Sequence, residues 1–112
     1  MARLEPRDHA ISLTSAAEYI RRHRAGAAGE MKAAAKGSEP NGGSFHADQV
    51  MKLLQQPGCT ALRIYKARNA KNEATVVLVG VDANGKDMTK GMMLQEWWPC
   101  PPICDEASPL NG

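Results

Sequence analysis

Large side chains are scarce in this 112-residue chain. Phe, Trp and Tyr number one, two and two, and Leu, Ile, Val and Phe together make 18 residues, or 16%. That is below the roughly 20% at which disorder becomes common, but disorder also calls for a high net charge, and the chain carries only +2. The 43% hydrophobic content flatters the sequence, because 17 of those residues are Ala. Three Cys are too few for a disulfide scaffold, and no apolar run approaches the ~18 residues of a membrane span. The length excludes a multidomain enzyme. No Arg-rich or apolar leader precedes the first helical pattern, so a cytoplasmic protein is expected.

Charge is unevenly spread: residues 1–36 and 59–90 each carry a net +3, residues 37–58 carry −1 and residues 91–112 carry −3. Such a balance argues against a dedicated nucleic-acid binder, whose domain is usually strongly basic on one side. The acidic end is expected to lie against the basic middle.

Ordered structure is expected over about 11–25 and 44–98 of a single domain. Leu13, Ala16, Ala17 and Ile20 recur at helical spacing. Ser15 stands three residues before Glu18, the spacing of a capping box, with Ser12 as the rival cap. Arg21, Arg22 and Arg24 suit the last turn, and Gly26 is a reasonable stop. Residues 26–43, rich in Gly, Ala and Ser, read as a flexible loop, of which 27–43 is dispensable for folding. A second helix runs from Phe45 through Val50, Leu53 and Leu54 and is stopped by Pro57-Gly58.

The periodicity then becomes alternating. Leu62 and Ile64 share one face of a strand whose other face carries Arg63 and Tyr65, and a second strand, Thr75 to Val81, is β-branched and apolar on both faces. Asn84-Gly85 is a hairpin signal, and residues 92–98 are the third strand. The fold class predicted is therefore α+β: two helices on one face of a three-stranded antiparallel meander, ααβββ, followed by a Pro-rich tail over 99–112. Its core is Leu13, Ile20, Phe45, Val50, Leu53, Leu54, Leu62, Ile64, Val76 and Leu78.

Few residues suggest chemistry. Asp82-x-Asn84-Gly85-x-Asp87 has oxygen ligands at alternate positions, but a calcium loop counted from Asp82 would need Gly at 87 and Glu at 93, where Asp and Met stand. Cys100-Pro101-Pro102-Ile103-Cys104 has zinc-compatible spacing, with Cys59 and His46 as possible further ligands. An extended Pro-Pro pair at ~3.1 Å per residue would hold the two Cys about 12 Å apart, so reduced thiols are expected. Arg21-Arg22-His23-Arg24 fans around a helix and forms no single phosphate-binding stripe. His23 and His46 lack catalytic neighbours in sequence, and Glu96 is a lone carboxylate. No nucleophile elbow, zinc-protease helix, Walker loop or dinucleotide turn is present, so no catalytic residue, metal or cofactor is assigned.

The blocks at 45–54, Pro57-Gly58-Cys59, Leu62-Arg63-Ile64-Tyr65, 77–82, Cys100-Pro101-Pro102-x-Cys104 and Ser108-Pro109-Leu110-Asn111 resemble a group of small bacterial proteins that share this order and the Cys-Pro-Pro ending. The resemblance spans roughly two thirds of the chain. It implies that the tail belongs to the protein, and it brings no activity or site residue with it.

The functional expectation is a non-catalytic interaction or assembly module. Alternation points Tyr65, Val77, Val79 and Val81 away from the helices, with Met93 or Trp97 joining them and Trp98 nearby. This outer face is expected to be buried by a second copy, making a homo-oligomer, or by the tail. The alternatives are a metal- or ligand-binding protein using Cys59, Cys100 and Cys104, and a folded carrier of a recognised C-terminal peptide.

Overall fold

The computed structural model describes residues 4–26 and 40–111. In chain order the elements are α1 (Leu13–Gly26), β1 (Gly42–Ser44), α2 (Ala47–Leu54), β2 (Ala61–Arg68), β3 (Ala74–Val81), β4 (Met93–Leu94), β5 (Trp98–Cys100) and a final 3-10 turn, Pro109–Asn111. The main sheet is three-stranded and antiparallel in the order β2-β3-β4, and β1 pairs with β5 in a separate ribbon. The α+β class follows directly.

Ser12, not Ser15, caps α1. Its hydroxyl accepts the Ser15 N–H at 3.2 Å and its carbonyl accepts the Ala16 N–H at 2.9 Å. Glu18 instead pairs with Arg22, one turn on, at 3.0 Å. The rest of the expected loop from 26 lies outside the described residues as far as 39, but Gly42 and Gly43 are strand, not loop, opposite Cys100 and Pro99. Gly43 is required there, because a Cβ would stand 2.5 Å from the Trp97 ring.

The main correction concerns the layers. The helices do not share a face; they lie on opposite faces of the sheet. Beneath α1, Ala16 packs with Ala67, Val77, Val79 and Met93, joined by Tyr19, Ile20 and Tyr65. On the other face Leu53 of α2 packs with Leu78 and Leu94, joined by Phe45, Val50 and Val76. Alternation is obeyed throughout, since Val79 is opposite Met93 and Leu78 opposite Leu94. A strand apolar on both faces is normally one covered on both, and β3, buried from Val77 to Val81, is such a strand.

Four expected core residues are exposed: Leu13 (48%), Leu54 (42%), Leu62 (37%) and Ile64 (59%). The expected third strand also breaks in two. Only Met93–Leu94 pairs with β3, and Trp98–Cys100 leaves for the ribbon with β1 after Glu96 takes a positive φ of 61°.

An N-terminal arm with no periodic pattern completes the sheet. Ala10 bridges to Leu94, the Gln95 N–H donates to His9 O at 2.7 Å, and the Ile11 N–H donates to Met93 O at 3.2 Å. His9, fully buried, stitches the arm to two other segments. Its Nε2 accepts the His46 backbone N–H at 3.1 Å, which leaves the ring proton on Nδ1 to be donated to Glu96 O at 2.8 Å. Gln49 of α2 clamps the same arm, accepting the His9 N–H at 2.8 Å through Oε1 and donating through Nε2 to Arg7 O.

Candidate functional site

β2 is the outermost strand of the sheet, and among the described residues it pairs with β3 alone. The Asn69 N–H donates to Glu73 O at 3.0 Å, in the register that continues along the β2–β3 pair. Antiparallel ladders alternate, so the odd residues of β2 turn their N–H and C=O groups toward β3 and the even residues turn theirs outward. The Arg68 carbonyl agrees with this, since it faces away from β3 to accept the Arg22 guanidinium at 3.4 Å. Leu62, Ile64 and Lys66 are left with outward backbone groups, and their side chains lie on the α2 side of the sheet. α2 packs over β3 and β4 and does not reach across to cover them.

The opposite side of β2 is occupied. Val77 (1% exposed), Val79 (2%) and Val81 (5%), expected as an outer face awaiting a partner, are buried by the chain itself. Tyr65, on the same face, packs at the margin of the α1 cluster. Its hydroxyl donates to Asp87 Oδ2, while Arg63 donates to Asp87 Oδ1 at 2.7 Å. The bond to Asp87 is the main cause raising the Tyr65 pKa above its ordinary 10.0, with desolvation second and Arg63 opposing. The same carboxylate raises Arg63 above the usual arginine value.

A cleft of about 260 Å³ opens between α1 and this face. Leu13, Ala17, Ile20 and Tyr65 line it at the margin of the packed α1 cluster. Arg21 and Arg24 stand on the helix side of its mouth, with Asp87 and Thr89 on the sheet side.

The tail and the two Trp residues belong to a different part of the molecule from the valines. Trp97 lies against Gly43, and the Trp98 indole N–H donates to Glu5 O at 3.0 Å. The Arg7 guanidinium sits 3.4 Å from the centroid of a Trp98 ring and donates to Trp97 O at 2.9 Å. Both Trp residues are therefore half-buried by the arm and the ribbon.

Cys100 and Cys104 are joined as a disulfide, which replaces the expected pair of separated thiols. The Cys100–Pro101 and Pro101–Pro102 bonds are both cis, so the chain turns back and the two Cα atoms come within 4.9 Å. Bonded to each other, the sulfurs are not available as thiolate ligands. Cys59 is a half-buried free thiol elsewhere, beside Gly80. His46 is engaged at Glu5 O, to which its Nε2 donates at 2.8 Å. Among the described residues no group of three or more His, Cys, Asp or Glu is gathered as a metal site. Asp82 spends its carboxylate on its own loop, accepting the Asn84 and Lys86 N–H groups at 2.9 and 3.0 Å.

No helix among the described residues is long and apolar enough to cross a membrane. Comparison of the chain with protein-family models, curated proteins and solved structures gives no match.

Proposed function

We propose that this chain is a non-catalytic assembly module that self-associates through the outer edge of β2. The observation that carries this reading is Ile64, 59% exposed in the middle of an eight-residue strand, where the outward backbone groups of Leu62, Ile64 and Lys66 meet no further strand among the described residues. An unpaired strand edge is a template for another strand, and a second copy supplies one by two-fold symmetry.

The side chains restrict the register. A two-fold axis normal to the sheet keeps each face on its own side, so it passes through a residue and not between two. Centred on Lys66 or Arg63, it would set like charges opposite each other, which is destabilising. Centred on Ile64, it pairs Ile64 with the partner's Ile64, Leu62 with the partner's Lys66, and Arg63 with the partner's Tyr65. The central residues then exchange their outward hydrogen bonds, and the apolar stem of Lys66 lies on Leu62. The product is a continuous six-stranded antiparallel sheet.

The test is sedimentation equilibrium over a range of concentrations, with wild type and Ile64→Arg. The wild-type chain is expected to dimerise. Ile64→Arg is expected to remain a monomer with an unchanged melting temperature, because it sets two cations opposite each other at the axis while removing nothing from the core. A wild-type protein that is monomeric at every concentration, or an Ile64→Arg variant that dimerises as well as wild type, would exclude this interface.

The expected cytoplasmic setting has its own check. Thioredoxin and glutathione systems keep cytosolic thiols reduced, so alkylation of Cys100 and Cys104 in intact cells, compared with the oxidised purified chain, tests that placement.

A further inference from the structure

We infer that a cavity at the turn end of the sheet is a binding site for a small polar zwitterion, a free α-amino acid whose side chain ends in a carboxamide. The cavity, about 240 Å³, lies between the β2–β3 turn, the segment that follows β4 and Arg7 of the N-terminal arm. The inference is independent of the β2 edge, because none of the lining residues falls between Leu62 and Lys66.

The base of the cavity is polar and its hydrogen bonding is incomplete. Thr75 and Gln95 are each 4% exposed, and Gln95 Nε2 donates to Thr75 Oγ1 at 3.2 Å. That bond leaves two groups over. Gln95 Oε1 accepts from no donor among the described residues, and the Thr75 hydroxyl proton has no acceptor among them. The oxygen is not sealed off by protein, so it opens onto the cavity that Gln95 lines. An acceptor beside a donor is the complement of a carboxamide, whose N–H donates to Gln95 Oε1 while its C=O accepts from Thr75. Half-buried Tyr19 and Trp97 stand as walls. A volume of about 240 Å³ lies below the ~300–1,000 Å³ of sites for drug-sized molecules, so the ligand is small.

Charge at the mouth is of both signs. Lys71, Glu73 and Glu96 are exposed there, and Arg7 is held across the Trp98 ring, 3.4 Å from its centroid. None of the four is in an ion pair among the described residues. Glu73 gives Oε1 to the Asn69 amide at 3.0 Å and keeps Oε2. Two cations and two carboxylates that line one opening without meeting are bridged by a molecule carrying both signs. Its carboxylate takes Arg7 and Lys71, and its ammonium takes Glu73 and Glu96. A ligand of one sign would be repelled by half of the rim.

The probe is L-asparagine, titrated into the full chain and followed by backbone amide, Gln95 side-chain amide and Trp97 indole chemical shifts. Two comparison probes each remove one feature: L-leucine has the same heavy-atom skeleton with no polar atom in its side chain, and succinamate is asparagine without its ammonium. Asparagine is expected to bind saturably, moving the Gln95 and Trp97 side-chain signals. It should bind about tenfold or more tighter than leucine, which leaves the buried acceptor and donor unmet, and about threefold tighter than succinamate, which loses only contacts at an exposed rim. Gln95→Met keeps the length of the side chain and is expected to erase the preference over leucine. Glu73→Gln with Glu96→Gln, both at exposed positions, is expected to erase the preference over succinamate with the fold intact. Absence of saturable asparagine binding to the wild-type chain overturns the proposal, and so does equal affinity for leucine, whether or not Gln95→Met folds. Equal affinity for succinamate overturns the zwitterionic class. A folded Gln95→Met variant that still prefers asparagine to leucine places the ligand elsewhere and overturns the site.

Discussion

The two faces of the β2-β3-β4 sheet are closed by different means. On one, α1 spans 14 residues and lies over both β2 and β3, so that Ala67 and Val77 are each 1% exposed. On the other, α2 is only eight residues long, reaches β3 and β4 and leaves Leu62 and Ile64 bare. The shorter helix is supplemented by polar stitching, with Gln49 and His9 fastening the N-terminal arm beside it. Strand alternation is equally regular on both faces. Which residues are buried is decided by how far a helix extends across the strands.

The largest test of this contrast is Val79→Lys. On the α1 face the change places an ammonium group without a partner in a cluster that is 2% exposed at this position. A loss above ~4 kcal/mol is expected, a large share of what a small domain has, and so an unfolded or molten chain by circular dichroism. A folded variant that merely changes its association state would show that α1 does not cover this face.

A paired substitution sharpens the difference along the opposite face. Leu53 of α2 and Ile64 of β2 both lie on the α2 side of the sheet, but Leu53 is fully buried and Ile64 is 59% exposed. Leu53→Ala is expected to cost about 2–5 kcal/mol in denaturant unfolding, and Ile64→Ala less than ~0.5 kcal/mol at protein concentrations where the chain is monomeric. Similar costs at the two sites would mean that α2 reaches over β2 after all.

The polar stitching has a measurable worth of its own. His9→Phe keeps the ring against Phe45, whose centroid is 4.8 Å away, but removes the acceptor for the His46 N–H and the donor to Glu96 O. A buried group left unpaired costs ~1–3 kcal/mol, so the two together should lower stability about as much as Leu53→Ala does. An unaffected melting temperature would show that the arm adds nothing to the α2 face.

Much of this architecture was legible in the residues, and the failures have identifiable causes. Helical spacing around Leu13–Ile20 and Val50–Leu54 and the two alternating runs located both helices and the β2–β3 pair. The run from Thr75 to Val81 is apolar on both faces, which implies two covers, yet helical spacing alone sets both helices on one face and exchanges the buried and bare residues of β2. Local spacing does not encode which side a connection crosses. The arm was missed because its fastening is by hydrogen bonds, for which Arg7, His9 and Gln49 leave no periodic trace. Extended trans polyproline geometry sets Cys100 and Cys104 too far apart to pair, whereas the chain there is cis at both prolines.

The smallest predicted effect concerns Tyr65, the polar edge of the well-covered face. Its hydroxyl donates to Asp87, and that bond, with desolvation, holds its pKa above the ordinary 10.0. In the unfolded chain the phenol titrates at its ordinary value, so the folded form binds its proton more tightly. The stability this contact contributes is thus complete below about pH 10 and fades as pH rises through the higher folded-state value. The difference between the 295 nm titrations of wild type and Tyr65→Phe isolates this one phenol, and its midpoint is expected above 10. Asp87→Asn removes the carboxylate and should bring the midpoint back toward 10, because the largest cause of the shift has gone. In parallel, the stability advantage of wild type over Tyr65→Phe should shrink above pH 10, while the cost of Leu53→Ala on the opposite face stays the same at every pH. A Tyr65 midpoint at or below 10, or one that ignores Asp87→Asn, would mean that the α1 face is closed by apolar packing alone.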